Sequence, residues 1–137
     1  PSGNLVNSGL VATILVVDDE RDVVLLIKFL LKKDGHQVVE AFNGAEALQQ
    51  LGLVPPSDVS ILPDLIILDI MMPVVDGLTV CRKAAEHPKV RSIPMIVLTA
   101  RGKIAELANT APNVASQLEK PFDPQKLRDL VRSILGG

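Results

Sequence analysis

The chain has 137 residues, 47% hydrophobic and 22% charged, with a formal net charge of -2 at pH 7. This length suits one domain whose core needs neither disulfides nor a structural metal. The near-neutral charge argues against a nucleic-acid or anionic-membrane surface, and the absence of Trp and Tyr argues against aromatic stacking sites. The single Cys81 cannot form an internal disulfide, and no signal peptide or spanning apolar run is present, so we predict a cytoplasmic protein.

Residues 1–12 are rich in turn formers and are predicted to be a flexible tail, a cloning remnant or a trimmed linker, which leaves one domain over residues 13–135. In that domain, short β-branched runs alternate with helix-length segments. The predicted strands are TILVV (13–17), HQVVEAF (36–42), DLIILD (64–69), IPMIVLTA (93–100) and VASQLEKP (114–121). The predicted helices are 18–35, 45–51, 76–87, 103–111 and 123–135.

Two local signals refine these boundaries. Gly35 is a plausible residue to end the first helix, and Asp123 with Pro124 forms a typical start for the last one. Strands that are apolar on both faces and alternate with helices indicate a parallel sheet covered on both sides. We therefore predict an α/β fold, an open doubly wound five-stranded parallel sheet with five helices. In such sheets ligands bind beyond the carboxyl ends of the strands.

Polar residues stand at those strand ends. Alone, each has an ordinary structural explanation, because Asp and Thr cap helices and Lys is usually a solvated surface charge. Together they would share one rim of the sheet. They are Asp18, Asp19 and Glu20 after the first strand, Asp69 ending the third, Thr99 and Ala100 ending the fourth, and Lys120 with Pro121 ending the fifth.

Clustered carboxylates repel one another and require a cation. Lys120 can supply one positive charge, and a divalent ion such as Mg²⁺, which prefers oxygen ligands, can supply two. A carboxylate beside both charges can attack phosphorus and become an acyl phosphate. The hydroxyl of Thr99 can then bond a phosphoryl oxygen, and the small Ala100 leaves room for the group to enter.

Four motifs carry a resemblance to a known family: ILVVDDE, LDIMMPVVDG, IVLTA and EKPF. In this order and near this spacing, they resemble the receiver domain of two-component response regulators over about residues 13 to 135. The resemblance implies a flavodoxin-like fold and Asp69 as the phosphoacceptor. It also implies Mg²⁺, with Mn²⁺ as an alternative, held by Asp18, Asp19, Asp69 and the backbone carbonyl of Met71. Thr99 resembles the family's switch hydroxyl and Lys120 its phosphate-binding lysine, followed by a cis bond to Pro121.

The resemblance further implies that the protein takes its phosphoryl group from a sensor histidine kinase or a histidine phosphotransfer protein. It would not be an enzyme in the ordinary sense, because it catalyses only its own phosphorylation and dephosphorylation. No direct nucleic-acid or membrane contact is expected, and a homodimer stays open. Its first helix is apolar around most of its circumference, which fits either burial or a docking face for a partner helix.

Two other functions stay open. A phosphohydrolase similar to the haloacid dehalogenases would also combine Asp, Thr and Lys, but there a second Asp follows the nucleophile by two residues, where this chain has Met71. A receiver-like domain could instead act as a binding or dimerising module without phosphorylation. The intact set of strand-end residues argues against this second alternative.

Several positions depart from the family pattern. The segment 52–63 is longer than usual and has no assignable role, and the family's acidic residues before Lys120, used in one mode of dimerisation, are missing. Asn113 could replace a glycine of positive φ. Gln117 replaces an aromatic residue that rotates inward during signalling, so a weaker switch is expected. Met71, Met72, Met95 and Cys81 are predicted to pack in the core, and His36 and His87 to be structural.

Overall fold

The computed structural model describes residues 11–54, 62–100 and 113–136. Its five strands form one parallel sheet in the order β2-β1-β3-β4-β5. The strands are β1 (Thr13–Val17), β2 (Gln37–Ala41), β3 (Leu65–Asp69), β4 (Met95–Thr99) and β5 (Val114–Glu119). The helices within the described ranges are α1 (Arg21–Lys33), α2 (Gly44–Gln50), α3 (Gly77–Ala85) and α4 (Pro124–Gly136). This confirms the predicted doubly wound α/β fold.

The predicted helix at 103–111, most of the predicted tail and the centre of the long 52–63 segment lie outside the described residues. Four of the five predicted helices are therefore observed. Within the described ranges, the helices are too short or too polar to cross a bilayer.

The sheet is buried on both faces by two hydrophobic clusters. Alternate residues of β1, β3 and β4 point to opposite sides, so Leu15 and Val97 join one cluster while Ile14 and Ile96 join the other. All residues of β3 and β4 are buried, which explains why these two strands are apolar runs in the sequence up to their terminal Asp69 and Thr99. Cys81 lies in the first cluster as predicted, and burial raises the pKa of its thiol to about 12.

Side-chain hydrogen bonds stand at the starts of α2 and α4. Asn43 accepts a hydrogen bond from the Glu46 backbone at 2.8 Å, and Glu46 Oε1 accepts one from the Phe42 N–H at 2.7 Å. The Glu46 side chain thus reaches back to the residue before the N-cap, close to the arrangement of a capping box, and α2 begins directly after Asn43. Asp123 accepts from the Gln125 N–H at 3.0 Å at the predicted start of α4. Gly35 follows α1 with φ 95°, as its predicted role requires.

Two expectations were wrong. Met71 does not pack in the core: it is 63% exposed, because the chain leaves β3 and turns outward, whereas Met72 and Met95 are buried as predicted. Asn113 does not adopt a positive φ; among the described non-glycine residues only Val74 does. Asn113 is instead buried and its Nδ2 donates to the carbonyl of Cys81 at 3.3 Å, so it fills a packing role.

The two histidines take part in local backbone contacts, as predicted. His36 Nδ1 accepts a hydrogen bond from the Ala12 N–H, and His87 Nδ1 accepts one from the Lys89 N–H, each at 3.1 Å. Since each imidazole supports the backbone of its own turn or of the neighbouring strand, neither takes part in the strand-end cluster.

Candidate functional site

The parallel register brings the ends of four strands to one rim. Val17 pairs with Leu68, Asp69 with Leu98, and Thr99 with Glu119. The Lys120 N–H extends the last ladder by donating to the Thr99 carbonyl at 2.7 Å. Strand-end residues that are far apart in the sequence therefore become neighbours, as the fold prediction required.

Lys120 connects the acidic residues of the rim. Its Nζ lies 2.8 Å from Asp18 Oδ2, 3.0 Å from Glu20 Oε1 and 3.4 Å from Asp69 Oδ2. Asp18 and Asp69 are buried, whereas the Glu20 side chain is largely exposed. The peptide bond between Lys120 and Pro121 is cis, as the resemblance implied. One ammonium group thus faces three carboxylates.

The acidic residues also form a candidate metal site. Carboxylate oxygens of Asp18, Asp19 and Asp69 lie within 4.8 Å of one another. Asp18 and Asp69 are buried, and Asp19 is exposed to solvent. An all-oxygen donor set that is partly open to water matches the preference of Mg²⁺, which keeps several water ligands. The donor chemistry therefore fits the predicted ion.

Burial and mutual repulsion perturb these carboxylates. Burial is the main cause that raises the pKa of Asp69 to about 6, and the negative charge of Asp18 raises it further. Two groups lower this pKa: the Met71 N–H, which donates to Asp69 Oδ1 at 3.1 Å, and the Lys120 ammonium. Burial likewise raises the pKa of Asp18. Burial lowers the pKa of Lys120, but its contacts with Asp18 and Glu20 raise it by more, so the ammonium stays charged. Perturbed groups in one cleft are typical of functional sites.

Thr99 is buried at the end of β4, and its hydroxyl oxygen has no hydrogen-bond partner within the described residues. A buried hydroxyl without a partner is costly, so the position is suited to a ligand that supplies one. The side-chain oxygen of Gln117 on β5 is also buried and unpaired in the described part of the chain. Residues 101–112, which follow Thr99, lie outside it.

The loop after Asp69 packs closely against the acceptor. The Gly77 N–H donates to the Ile70 carbonyl at 3.1 Å, and a Cβ at Gly77 would collide with the carbonyl of Asp69. Asp76 caps α3 by accepting from the Thr79 N–H at 2.8 Å. Val74, at the tip of this loop, has φ 66° and is fully exposed. The loop therefore holds the Asp69 backbone through a glycine that no larger residue can replace without movement.

Sequence reasoning missed one participant. The sequence places Glu20 directly after the acidic pair without indicating a role for it, and in the structure its carboxylate reaches Lys120. The third acidic residue of the DDE run was the available signal. A contact between residues 100 positions apart could not be read from that signal alone.

The first helix combines the two interpretations that its sequence left open. Val24, Ile27, Leu30 and Leu31 are buried against the sheet. Leu25, Leu26 and Phe29 are 56%, 41% and 63% exposed. The helix therefore has a buried face and an exposed apolar face.

Comparison with known proteins agrees with this geometry. The family model described as "Response regulator receiver domain" matches residues 14–132. The alkaline phosphatase synthesis transcriptional regulatory protein PhoP of Bacillus subtilis is 32% identical over 89% of this chain and 48% of its own length. Response regulator PleD of Caulobacter vibrioides is 37% identical over 90% of this chain and 26% of its own length. The chain thus spans about half or less of the length of these curated relatives.

Solved structures show the same fold. A response regulator from Chloroflexus aurantiacus superposes with a TM-score of 0.79 at 36% identity, covering 93% of this chain and all of that one. The receiver domain of sensor histidine kinase PA1611 from Pseudomonas aeruginosa, at 24% identity, has a TM-score of 0.78 over 93% of this chain and 100% of its own, and carries a magnesium ion in its active-site cleft. From the extent of the family match and the agreement in fold, we conclude that this chain belongs to the response regulator receiver domain family.

Proposed function

We propose that Asp69 accepts a phosphoryl group in a Mg²⁺-dependent reaction and that the protein signals through the resulting aspartyl phosphate. The observation that carries this proposal is the buried pair of Asp18 and Asp69 bridged by the Lys120 ammonium. The acidic cluster would hold the ion through Asp18, Asp19, Asp69 and the Met71 carbonyl, with Mn²⁺ as an alternative. When bound, Mg²⁺ supplies positive charge against the carboxylates and the phosphoryl oxygens.

The chain's own groups have defined parts in the transfer. A carboxylate oxygen of Asp69 forms a bond to phosphorus, while the bond from phosphorus to the donor's imidazole nitrogen breaks and the electron pair leaves with that nitrogen. Lys120 offsets the charge of the phosphoryl oxygens, and the unpaired Thr99 hydroxyl donates to one of them. Water later attacks phosphorus, the bond between phosphorus and the Asp69 oxygen breaks, and inorganic phosphate leaves, which restores the Asp69 carboxylate. The protein is thus a phosphoacceptor that promotes its own modification and recovery.

The donor would be a sensor histidine kinase or a histidine phosphotransfer protein. Support for a docking face comes from α1, which begins next to the rim and exposes Leu25, Leu26 and Phe29. Three exposed apolar residues on one helix suit a partner helix. We also expect a cytoplasmic location and no direct contact of this chain with nucleic acid, although its relatives include longer transcriptional regulators. A homodimer stays an open prediction.

The test uses acetyl phosphate with Mg²⁺ and intact-mass measurement. The wild type should gain one phosphoryl group that hydroxylamine removes, as expected of an acyl phosphate. Asp69→Asn should stay unmodified, and Lys120→Ala should be modified poorly because it loses the fixed countercharge. Asp18→Asn should be less impaired than Asp19→Asn if Asp18 acts on the ion through water.

Label that persists on Asp69→Asn would place the acceptor elsewhere. A wild type that stays unmodified would favour the alternative of a receiver-like module that binds without phosphorylation. Membership of the receiver family and Met71 two residues after Asp69, where a haloacid dehalogenase would have its second Asp, disfavour the phosphohydrolase alternative.

A further inference from the structure

The ammonium of Lys120 contacts one carboxylate that the proposed reaction does not use. Glu20 Oε1 accepts a hydrogen bond from Lys120 Nζ at 3.0 Å. Glu20 occupies the N-cap position of α1, where a side chain commonly bonds the helix's own backbone, but it makes no such cap. Its carboxylate is directed to Lys120 instead.

A lysine ammonium has three N–H donors, and here three carboxylates surround it. A phosphoryl oxygen that arrives at Lys120 therefore competes with these carboxylates for the ammonium, and among them the Glu20 contact is a hydrogen bond. Asp18 is fully buried and would lose its partner without access to water. Asp69 carries the phosphoryl group itself. The side chain of Glu20 is 63% exposed, so water can solvate its carboxylate at little cost when the contact with Lys120 breaks.

We propose that Glu20 is a positioning residue that holds Lys120 in the unphosphorylated protein and is displaced by the phosphoryl group. Glu20 thereby competes with the phosphoryl group for the ammonium and weakens its retention at Asp69. This inference rests on the proposed function, because it assumes that Lys120 turns to a phosphoryl oxygen.

The test measures the affinity for beryllofluoride, a phosphoryl analogue, by nuclear magnetic resonance titration at saturating Mg²⁺. Mg²⁺ affinity is measured separately for each variant, so that a change in metal binding is not mistaken for a change in anion binding. Glu20→Gln should bind beryllofluoride about two- to fivefold more tightly, the range that a partly exposed ion pair supports. The rate of phosphorylation by acetyl phosphate should rise in the same proportion.

Two further variants separate the contact from the general effect of charge. Glu20→Asp keeps the charge but is one methylene shorter, so it should lose the contact and also bind beryllofluoride more tightly. Asp22→Asn removes the same charge from the first turn of α1, where no contact with Lys120 is made, and should behave as the wild type. Urea unfolding of each variant checks that the fold is kept.

If Glu20→Asp binds like the wild type while Glu20→Gln and Asp22→Asn bind more tightly, the effect is one of charge alone and the inference is wrong. Unchanged or weaker binding by Glu20→Gln also overturns it. A wild type that neither binds beryllofluoride nor accepts phosphate would overturn the proposed function itself, which is a distinguishable result.

Discussion

Replacing Asp69 with asparagine should stabilise the metal-free protein at neutral pH. Asp69 is 3% exposed, and its carboxylate faces that of Asp18 across the rim. Burial, together with the charge of Asp18, raises the pKa of Asp69 from 3.8 to about 6 in spite of Lys120. Ionised Asp69 is therefore unfavourable in the folded state, and an uncharged amide of the same shape removes that cost.

The sign follows from proton binding. Because the folded-state pKa lies above the unfolded-state value, the folded protein binds more protons between pH 3.8 and about 6. Stability decreases as pH rises through this window, and the full penalty is present above about pH 6. The shift corresponds to roughly 3 kcal/mol as an upper limit. Since the rim is open to water and asparagine weakens the contact with Lys120, we expect Asp69→Asn to gain about 1 to 2 kcal/mol at pH 7.5.

The assay is urea unfolding with a metal chelator present, followed by far-ultraviolet circular dichroism because the chain has no Trp or Tyr. The advantage of Asp69→Asn should shrink at pH 4.5. Asp64→Asn makes the same change at the opposite end of β3, where the side chain accepts from the Thr13 N–H at 2.9 Å, and should change stability by less than about 0.5 kcal/mol. Mg²⁺ should stabilise the wild type more than Asp69→Asn. If Asp69→Asn is no more stable than the wild type at pH 7.5, the electrostatic reasoning is wrong.

Four other predictions concern separate parts of the molecule. Asp19→Asn should largely abolish Mg²⁺ binding in a calorimetric titration, and affinity equal to that of the wild type would contradict the metal site. Val74→Asn should raise the free energy of unfolding by about 1 kcal/mol, because a β-branched residue at φ 66° is strained; urea unfolding that shows no gain would refute this. Burial lowers the pKa of His36 from 6.5, and its neutral Nδ1 accepts a hydrogen bond from the Ala12 N–H. The contribution of His36 to the free energy of unfolding should therefore be lost as pH falls below 6.5. His36→Asn, which keeps an acceptor, should lack this pH dependence. Gln117→Tyr should enlarge the chemical-shift changes that beryllofluoride causes over residues 103–120, because an aromatic ring gains more free energy from inward burial than an amide does. Changes of equal size in the wild type and in Gln117→Tyr would contradict a weak switch.

The strand and helix order of this protein could be predicted from its sequence, because hydrophobic periodicity and caps are local. β3 and β4 are buried throughout and are apolar up to their terminal Asp69 and Thr99, so both strands could be recognised as apolar runs in the sequence. The cap at Asp123 could also be predicted from the sequence, because its hydrogen bond joins residues only two positions apart. The carboxyl ends of parallel strands lie at one edge of the sheet, and from this rule we could predict that Asp18, Asp69, Thr99 and Lys120 lie at one rim.

Contacts that depend on how distant elements pack were decided only by the tertiary structure. Glu20 reaches Lys120 across 100 positions, and Arg128 of α4 holds Asp34 after α1 with two hydrogen bonds of 2.6 and 2.9 Å across 94. The exposure of Met71 could not be predicted from the sequence either. A methionine that follows a buried strand can point to the core or to solvent, and the path of the following loop decides which. Residue type restricts what a side chain can contact, but the partner it meets is set by the crossover that returns the chain to the sheet.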